Sequence, residues 1–209
     1  MKIGILGGGN VGGSLGEGWA KYGHEVCFGV RDPSAPDLKG RLARMQGRGT
    51  AASAPAASEF GEVIVNALPW PATKTVLPEL NLAGKVLLDC TNPLLENLAG
   101  LEVGTTTSGG EMVAGWATGS HVVKIFNTTG YGNMVNPTYH GKPSTMFYCG
   151  DDSGAKRIAA SLASQLGFDP IDAGPLTNAR LLEPYALLWI WLAVFGGVGR
   201  EFSLQLVKR

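Results

Sequence analysis

The chain has 209 residues, enough for one well-buried domain or one domain with a small appendage, and too few for two full ones. Its 17 lysines and arginines balance 17 aspartates and glutamates, so it lacks the single-signed field that would draw it to nucleic acid or to an anionic membrane. Its 3 cysteines, Cys27, Cys90 and Cys149, lie far apart in apolar stretches, which fits buried thiols in a reducing compartment better than a disulfide or metal framework.

Met1 leads directly into Lys2-Ile3-Gly4-Ile5-Leu6, which has neither the length nor the cleavage pattern of a secretory signal, so a cytoplasmic protein is expected. Residues 2–6 read as a short apolar strand. Glycines then break the run, Ser14 to Tyr22 reads as a helix, and His24 to Val30 returns to strand composition. The whole fits a βαβ unit of about thirty residues. Gly7-Gly8-Gly9-Asn10-Val11-Gly12 matches the dinucleotide fingerprint G-x-G-x-x-G in the strand–turn–helix setting that the motif requires. Gly7 permits the sharp turn, Gly9 lets the backbone approach a pyrophosphate, and Gly12 lets the helix pack close to the strand. Gly13, Gly16 and Gly18 continue into the helix, where each costs about 0.8–1.0 kcal/mol relative to alanine, so a compensating gain is expected.

The second strand ends in Val30-Arg31-Asp32. NAD proteins place an acidic side chain against the ribose at about 20 residues beyond the glycines. Here Val30 fills that slot and Arg31 follows, a guanidinium suited to bidentate contact with a 2′-phosphate, so NADP(H) is favoured. Two alternatives stay open: a one-residue shift puts Asp32 on the ribose, or Arg31 and Asp32 pair with each other. Lys39, Arg41 and Arg44 either add charge to the phosphate site or form a solvated helix face.

Further along, a helix is expected over Asp37 to Met45, a third strand near Thr50 to Ala52, and a small helix over Ala56 to Phe60. Glu62 to Leu68 reads as a central parallel strand ended by Pro69-Trp70-Pro71. Ligands of open doubly wound sheets lie outside the carboxyl ends of the strands, which points to Leu68, Pro69 and Trp70 as cofactor neighbours, with Trp70 equally open to a core-covering role. Lys85 to Cys90 is a fifth strand followed by Thr91-Asn92-Pro93, which puts Asn92 on the ligand side. A crossover helix over Gly109 to Ala117 leads to a sixth strand, His121 to Phe126, whose exit loop Asn127-Thr128-Thr129-Gly130-Tyr131-Gly132 suits a planar substrate. A seventh strand (Thr145 to Cys149), a helix (Gly154 to Leu166) and a short eighth strand (Asp169 to Asp172) complete a doubly wound, mostly parallel α/β sheet of Rossmann type.

A long helix is expected from Asn178 to Phe195, and Tyr185 to Phe195 is apolar throughout. That segment spans roughly 16 Å against about 30 Å of bilayer hydrocarbon, so it is not a membrane span. A helix apolar all round must be covered all round, and a second copy in a homodimer is the economical cover. Residues 1–175 therefore read as a nucleotide-binding domain, and 176–209 as a helical extension packed on it and on a dimer partner.

The joint occurrence of Gly7-Gly8-Gly9-Asn10-Val11-Gly12, Ala67-Leu68-Pro69-Trp70, Cys149-Gly150-Asp151-Asp152 and the run Asp172 to Leu181 resembles the NADP oxidoreductases that depend on coenzyme F-420 (F420), a deazaflavin. The reductase domain of the six-transmembrane metalloreductases is similar at a greater distance. The resemblance implies NADP(H) held at Gly7, Gly9, Asn10, Val11 and Gly12, Arg31 on the 2′-phosphate, and Leu68 and Pro69 beside the nicotinamide. It implies a ring pocket from Asn127 through Thr128, Thr129 and Tyr131 to Gly132, with Gly196 and Gly197 contributing, and a homodimer. The family carries a histidine and a proline in the loop after the sixth strand, where this chain has Asn127 and Gly130. The acceptor could accordingly be F420, a flavin or another molecule.

Hydride transfer between stacked rings needs orientation and water exclusion rather than an acid–base triad. No catalytic residue is assigned, and His24, His121 and His140 read as structural. Lys124 falls in a strand and reads as non-catalytic. Arg180 and Glu183, one turn apart, are expected to bond each other. The function expected is an NADPH-dependent oxidoreductase acting on a deazaflavin or flavin. The alternatives are a reductase of a small imine or carbonyl, with Tyr131, Thr128 or Thr129 as proton donor, and an NADP(H)-binding redox sensor without turnover.

Overall fold

The computed structural model describes residues 1–209. Six parallel strands form its centre: β1 (Lys2–Leu6), β2 (Glu25–Gly29), β3 (Gly49–Ala52), β4 (Val63–Asn66), β5 (Val86–Asp89) and β6 (His121–Lys124). A short hairpin follows, β7 (Thr138–Tyr139) with β8 (Lys142–Pro143), then β9 (Thr145–Gly150) and β10 (Asp169–Asp172). Helices α1 (Asn10–Lys21), α2 (Pro36–Arg44), α3 (Ala54–Phe60), α4 (Trp70–Val76), α5 (Gly109–Trp116), α6 (Tyr131–Val135), α7 (Ser153–Gln165) and α8 (Ala179–Val194) connect or flank them. The eight-stranded sheet has the order β10-β9-β6-β5-β4-β1-β2-β3. Its β3-β2-β1-β4-β5-β6 portion is the dinucleotide-binding order, with the order of strand addition reversing between β1 and β4. β9 joins β6 antiparallel, and β10 pairs with β9 in parallel.

Strand residues alternate between two cores, as the pleat requires. On β4, Val63 and Val65 face a core with Leu15 and Trp19 of α1, Leu38 of α2 and Leu162 of α7. Ile64 faces the other core, with Trp70 of α4 and Val113 of α5. Both faces of the central strands are therefore covered, which explains their unbroken apolar composition.

Three local readings are corrected. Helix α1 begins at Asn10, four residues before the expected start. Pro69-Trp70-Pro71 does not merely end a strand, because Pro71 sits in the first turn of α4, where its missing N–H costs nothing. The loop after β6 contains a short helix, α6, that opens at Tyr131. Helix α8 packs Ala179 and Leu182 against Cys149 of β9. Leu181, Leu188, Trp191 and Phe195 form a stripe along its outer side, exposed by 67, 51, 51 and 50 %. No helix is long and apolar enough to cross a membrane.

Candidate functional site

The turn between β1 and α1 puts its three fingerprint glycines to different uses. Gly7 has φ +103°, and a Cβ there would lie 2.7 Å from the Ala67 carbonyl oxygen. A Cβ on Gly12 would lie 2.1 Å from the Gly7 carbonyl oxygen and 3.0 Å from Ile5. The fold itself thus demands glycine at both positions. Gly9 is different: its φ of −73° suits any residue, and a Cβ on it would meet nothing within 4 Å. Its bare backbone faces open space. Further along α1, Gly16 admits the ring of Phe28, the compensation that helical glycine requires.

Helix α1 begins immediately beyond Gly9 with no side-chain cap and no acidic residue in its first turn. By contrast, α3, α5 and α7 are capped by Ser53, Ser108 and Asp152. Free N–H groups and the positive end of a helix dipole, beside a backbone without a side chain, suit a diphosphate.

At the end of β2, Asp32 accepts the Ser34 N–H at 2.8 Å and the Ser34 hydroxyl at 2.6 Å. These bonds hold its carboxyl below the usual range. Arg31 is exposed and forms neither a hydrogen bond nor an ion pair, so the Arg31–Asp32 pair is not formed. Arg41 and Arg44 are both engaged by Glu17, at 2.6 and 2.9 Å. Arg31 and Lys39 are thus the cations near this strand end that form no ion pair with a carboxylate.

Beside the turn lies a cleft of about 330 Å³, bordered by Val11 on α1, Ala67 to Pro71 after β4, and Cys90 to Asn92 with Leu94, Leu95, Glu96 and Leu98 after β5. Val11, Leu68, Pro69, Trp70 and Asn92 are all brought to it. Trp70 is mostly committed to the protein: it is 5 % exposed, its ring lies 5.3 Å from that of Trp116, and its indole N–H donates to Glu102. Asn92 joins the loop after β6 reciprocally, donating to the Asn127 carbonyl at 2.8 Å and accepting from Asn127 Nδ2 at 3.1 Å.

The loop residues expected around a substrate part company. Asn127 and Thr128 are buried, and the Thr128 hydroxyl contacts Met146 Sδ at 3.8 Å. The Thr129 hydroxyl accepts from Asn133 at 2.7 Å. Tyr131 stands 40 % exposed at the start of α6. A Cβ on Gly130 would come within 2.4 Å of the Trp189 ring, so glycine stands where a bulky α8 residue crosses. Gly196 and Gly197 are exposed beyond the end of α8, and no hydrogen bond links them to this loop.

Burial pushes the Cys90 thiol up, and it pushes Cys149 up to about 12, so neither is a thiolate nucleophile. The expected Arg180–Glu183 pair does not form. Arg180 forks onto Glu111 at 2.8 and 2.6 Å, while Glu183 turns inward to Lys124 and to the start of α5. Sequence reasoning missed this buried charge group, because Lys124 and Glu183 stand far apart in the chain and no short motif joins them.

Comparison with known proteins agrees with this geometry. The family described as NADP oxidoreductase, coenzyme F420-dependent, matches residues 2–93. A crystal structure assigned as an F420-dependent NADP reductase from Arthrobacter sp. FB24 is similar over 100% of both chains, with 32% identity and a TM-score of 0.88. The metalloreductase STEAP3 of Rattus norvegicus is 30% identical over 194 residues, 91% of this chain and 38% of that protein, so the chain spans under two fifths of its length. A reductive aminase from Aspergillus terreus, solved with NADPH and ethyl levulinate, shares the fold at a TM-score of 0.66 and 20% identity, over 94% of this chain and 62% of that one. The uncapped glycine turn, the Rossmann strand order and the full-length likeness agree: the chain is an NADP-dependent oxidoreductase and belongs to the coenzyme F420-dependent NADP oxidoreductase family.

Proposed function

We propose that the protein transfers hydride between NADPH and a deazaflavin (coenzyme F420) or flavin-type acceptor in the cleft beside the glycine turn. The observation that carries this reading is Gly9, whose missing side chain serves nothing inside the protein. In this reading Gly9 and the first amides of α1, at Asn10, Val11 and Gly12, hold the diphosphate, and Arg31 holds the 2′-phosphate. Leu68, Pro69 and Asn92 border the reacting end. The nicotinamide would supply the hydride.

The cleft lining supports ring-to-ring transfer. Val11, Leu68, Pro69, Leu94 and Leu95 present apolar surface that would exclude water and keep two flat rings in contact, and no paired acid and base face one another across it. The homodimer belongs to the same reading. A second copy would cover the α8 stripe, and it would bring in the Gly196–Gly197 segment that one protomer leaves apart from the 127–132 loop.

NADPH oxidation by the purified protein, followed separately with F420, FMN, FAD and a ferric chelate, tests the proposal. Oxidation with F420 or a flavin is expected. Oxidation with none of them would overturn the proposal in favour of a sensor or a small-substrate reductase. One observation favours the latter as the second reading: the Tyr131 phenol is exposed and bonded to nothing in the protein, which leaves it free to donate a proton to an imine or carbonyl. Tyr131→Phe should leave transfer to a deazaflavin intact, whereas an imine or carbonyl reductase would lose rate while keeping substrate affinity.

A further inference from the structure

A group of charges lies beneath the cleft. Asp89, Lys124 and Glu183 are each 0 % exposed. Lys124 Nζ stands 2.8 Å from Asp89 Oδ2 and 2.8 Å from Glu183 Oε1. Glu183 also accepts the N–H groups of Gly109 and Gly110, each at 2.9 Å. Two carboxylates against one ammonium leave one excess negative charge, and the positive end of α5 faces it. Burial opposes the ammonium, but Asp89 and Glu183 outweigh that effect and hold Lys124 above its ordinary pKa.

Such a network is a poor source of stability, because desolvation offsets most of the attraction. Its effect is to hold a geometry. Asp89 turns its other oxygen toward the site: Oδ1 accepts the Thr91 hydroxyl at 2.8 Å, the Thr91 N–H at 3.2 Å and Asn66 Nδ2 at 3.0 Å. Thr91 and Asn92 line the cleft. Lys124 therefore fixes one end of a carboxylate whose other end fixes the Thr91 bend.

We propose that Lys124 is a positioning residue for the oxidoreductase reaction: through Asp89 it holds the Thr91–Asn92 bend where the reacting end of NADPH is seated. Through Glu183 the same ammonium ties that bend to α8. The inference rests on the reading of the cleft as the seat of the nicotinamide.

The test compares the native protein with two variants. Lys124→Met alone would strand two buried carboxylates, so Lys124→Met/Glu183→Gln is used, which keeps the native excess of one negative charge. Thr91→Val keeps every charge and removes only the hydroxyl that donates to Asp89. Folding is checked by circular dichroism, and NADPH affinity by titration well below the melting temperature. The emission of bound NADPH reports how the nicotinamide is seated. Both variants should bind NADPH about tenfold more weakly, a loss of about 1.4 kcal/mol, with altered emission. Preference over NADH should be unchanged, since Arg31 sets it at the other end of the cofactor.

A merely structural role would lower the melting temperature and leave affinity and emission native in the folded protein, and that result overturns the proposal. If the double variant does not fold, native affinity and emission in Thr91→Val overturn it. Absence of NADPH binding by the native protein would overturn the cleft reading and this proposal together, whereas native binding with unaltered variants overturns this proposal alone.

Discussion

Gly9 and Gly12 belong to one motif, yet substitution should make them fail in different ways. At Gly9 the backbone conformation is ordinary and a side chain would project into open space. Gly9→Val should therefore cost the fold only about 1 kcal/mol, the preference of a helix N-cap for glycine over an aliphatic residue. In a chain of this size that lowers the melting temperature by roughly 2–4 °C. The valine would occupy the space assigned to the diphosphate. Losing two charge-assisted amide bonds forfeits about 3–6 kcal/mol, so NADPH affinity should fall at least about 100-fold. Gly12→Ala reverses the pattern, because its Cβ lands 2.1 Å from a carbonyl oxygen that belongs to the turn itself. Overpacking of that kind costs about 1–3 kcal/mol or more, so the melting temperature should fall further than for Gly9→Val. Thermal melts without ligand, together with calorimetric titration of NADPH, separate the two effects. A folded Gly9→Val protein that binds NADPH within about threefold of the native affinity, a difference below 1 kcal/mol, would refute the assignment of the turn.

Arg31→Ala should leave the melting temperature unchanged, since Arg31 bonds nothing in the protein, and should weaken NADPH by about 10- to 100-fold without affecting NADH. Titration of both nucleotides checks this. Leu188→Glu on the exposed stripe of α8 should convert a homodimer into a folded monomer in sedimentation velocity, and a native protein that sediments as a monomer would remove the dimer from the reading. The Arg180 guanidinium holds the Glu111 carboxyl below its ordinary value of 4.5. A depressed carboxyl stabilises the fold above 4.5 and loses that contribution as pH falls through its folded value. Glu111→Gln should therefore melt modestly lower than native protein at neutral pH. Melts as a function of pH should show the difference closing only below pH 4.5.

The order of the first βαβ unit was readable because its determinants are neighbours in the chain, although α1 begins four residues earlier than expected. Gly7 turns the strand and Gly12 admits the helix, so contact and spacing coincide. The same holds for the apolar strands, whose composition reports burial on both faces. Proline was read too strongly at Pro69-Trp70-Pro71, where it opens a helix rather than only closing a strand. The direction of β9 was not readable either, since an apolar run looks alike whichever way it is laid in a sheet.

Other features depend on residues that meet only after folding. An i, i+3 spacing suggested that Arg180 bonds Glu183, but each finds a better partner from a distant element: Glu111 for the first, Lys124 and the start of α5 for the second. Trp70 could have faced a cofactor or the core, and Trp116 and Glu102 decided that its indole is mostly held by the protein. Chain order thus settled the glycine turn and the class of the sheet, because adjacent residues carry that geometry. The buried charges beneath the cleft, the tether between Asn92 and Asn127 and the open stripe on α8 were settled by packing, which alone brings distant side chains within reach and determines which of them water still touches.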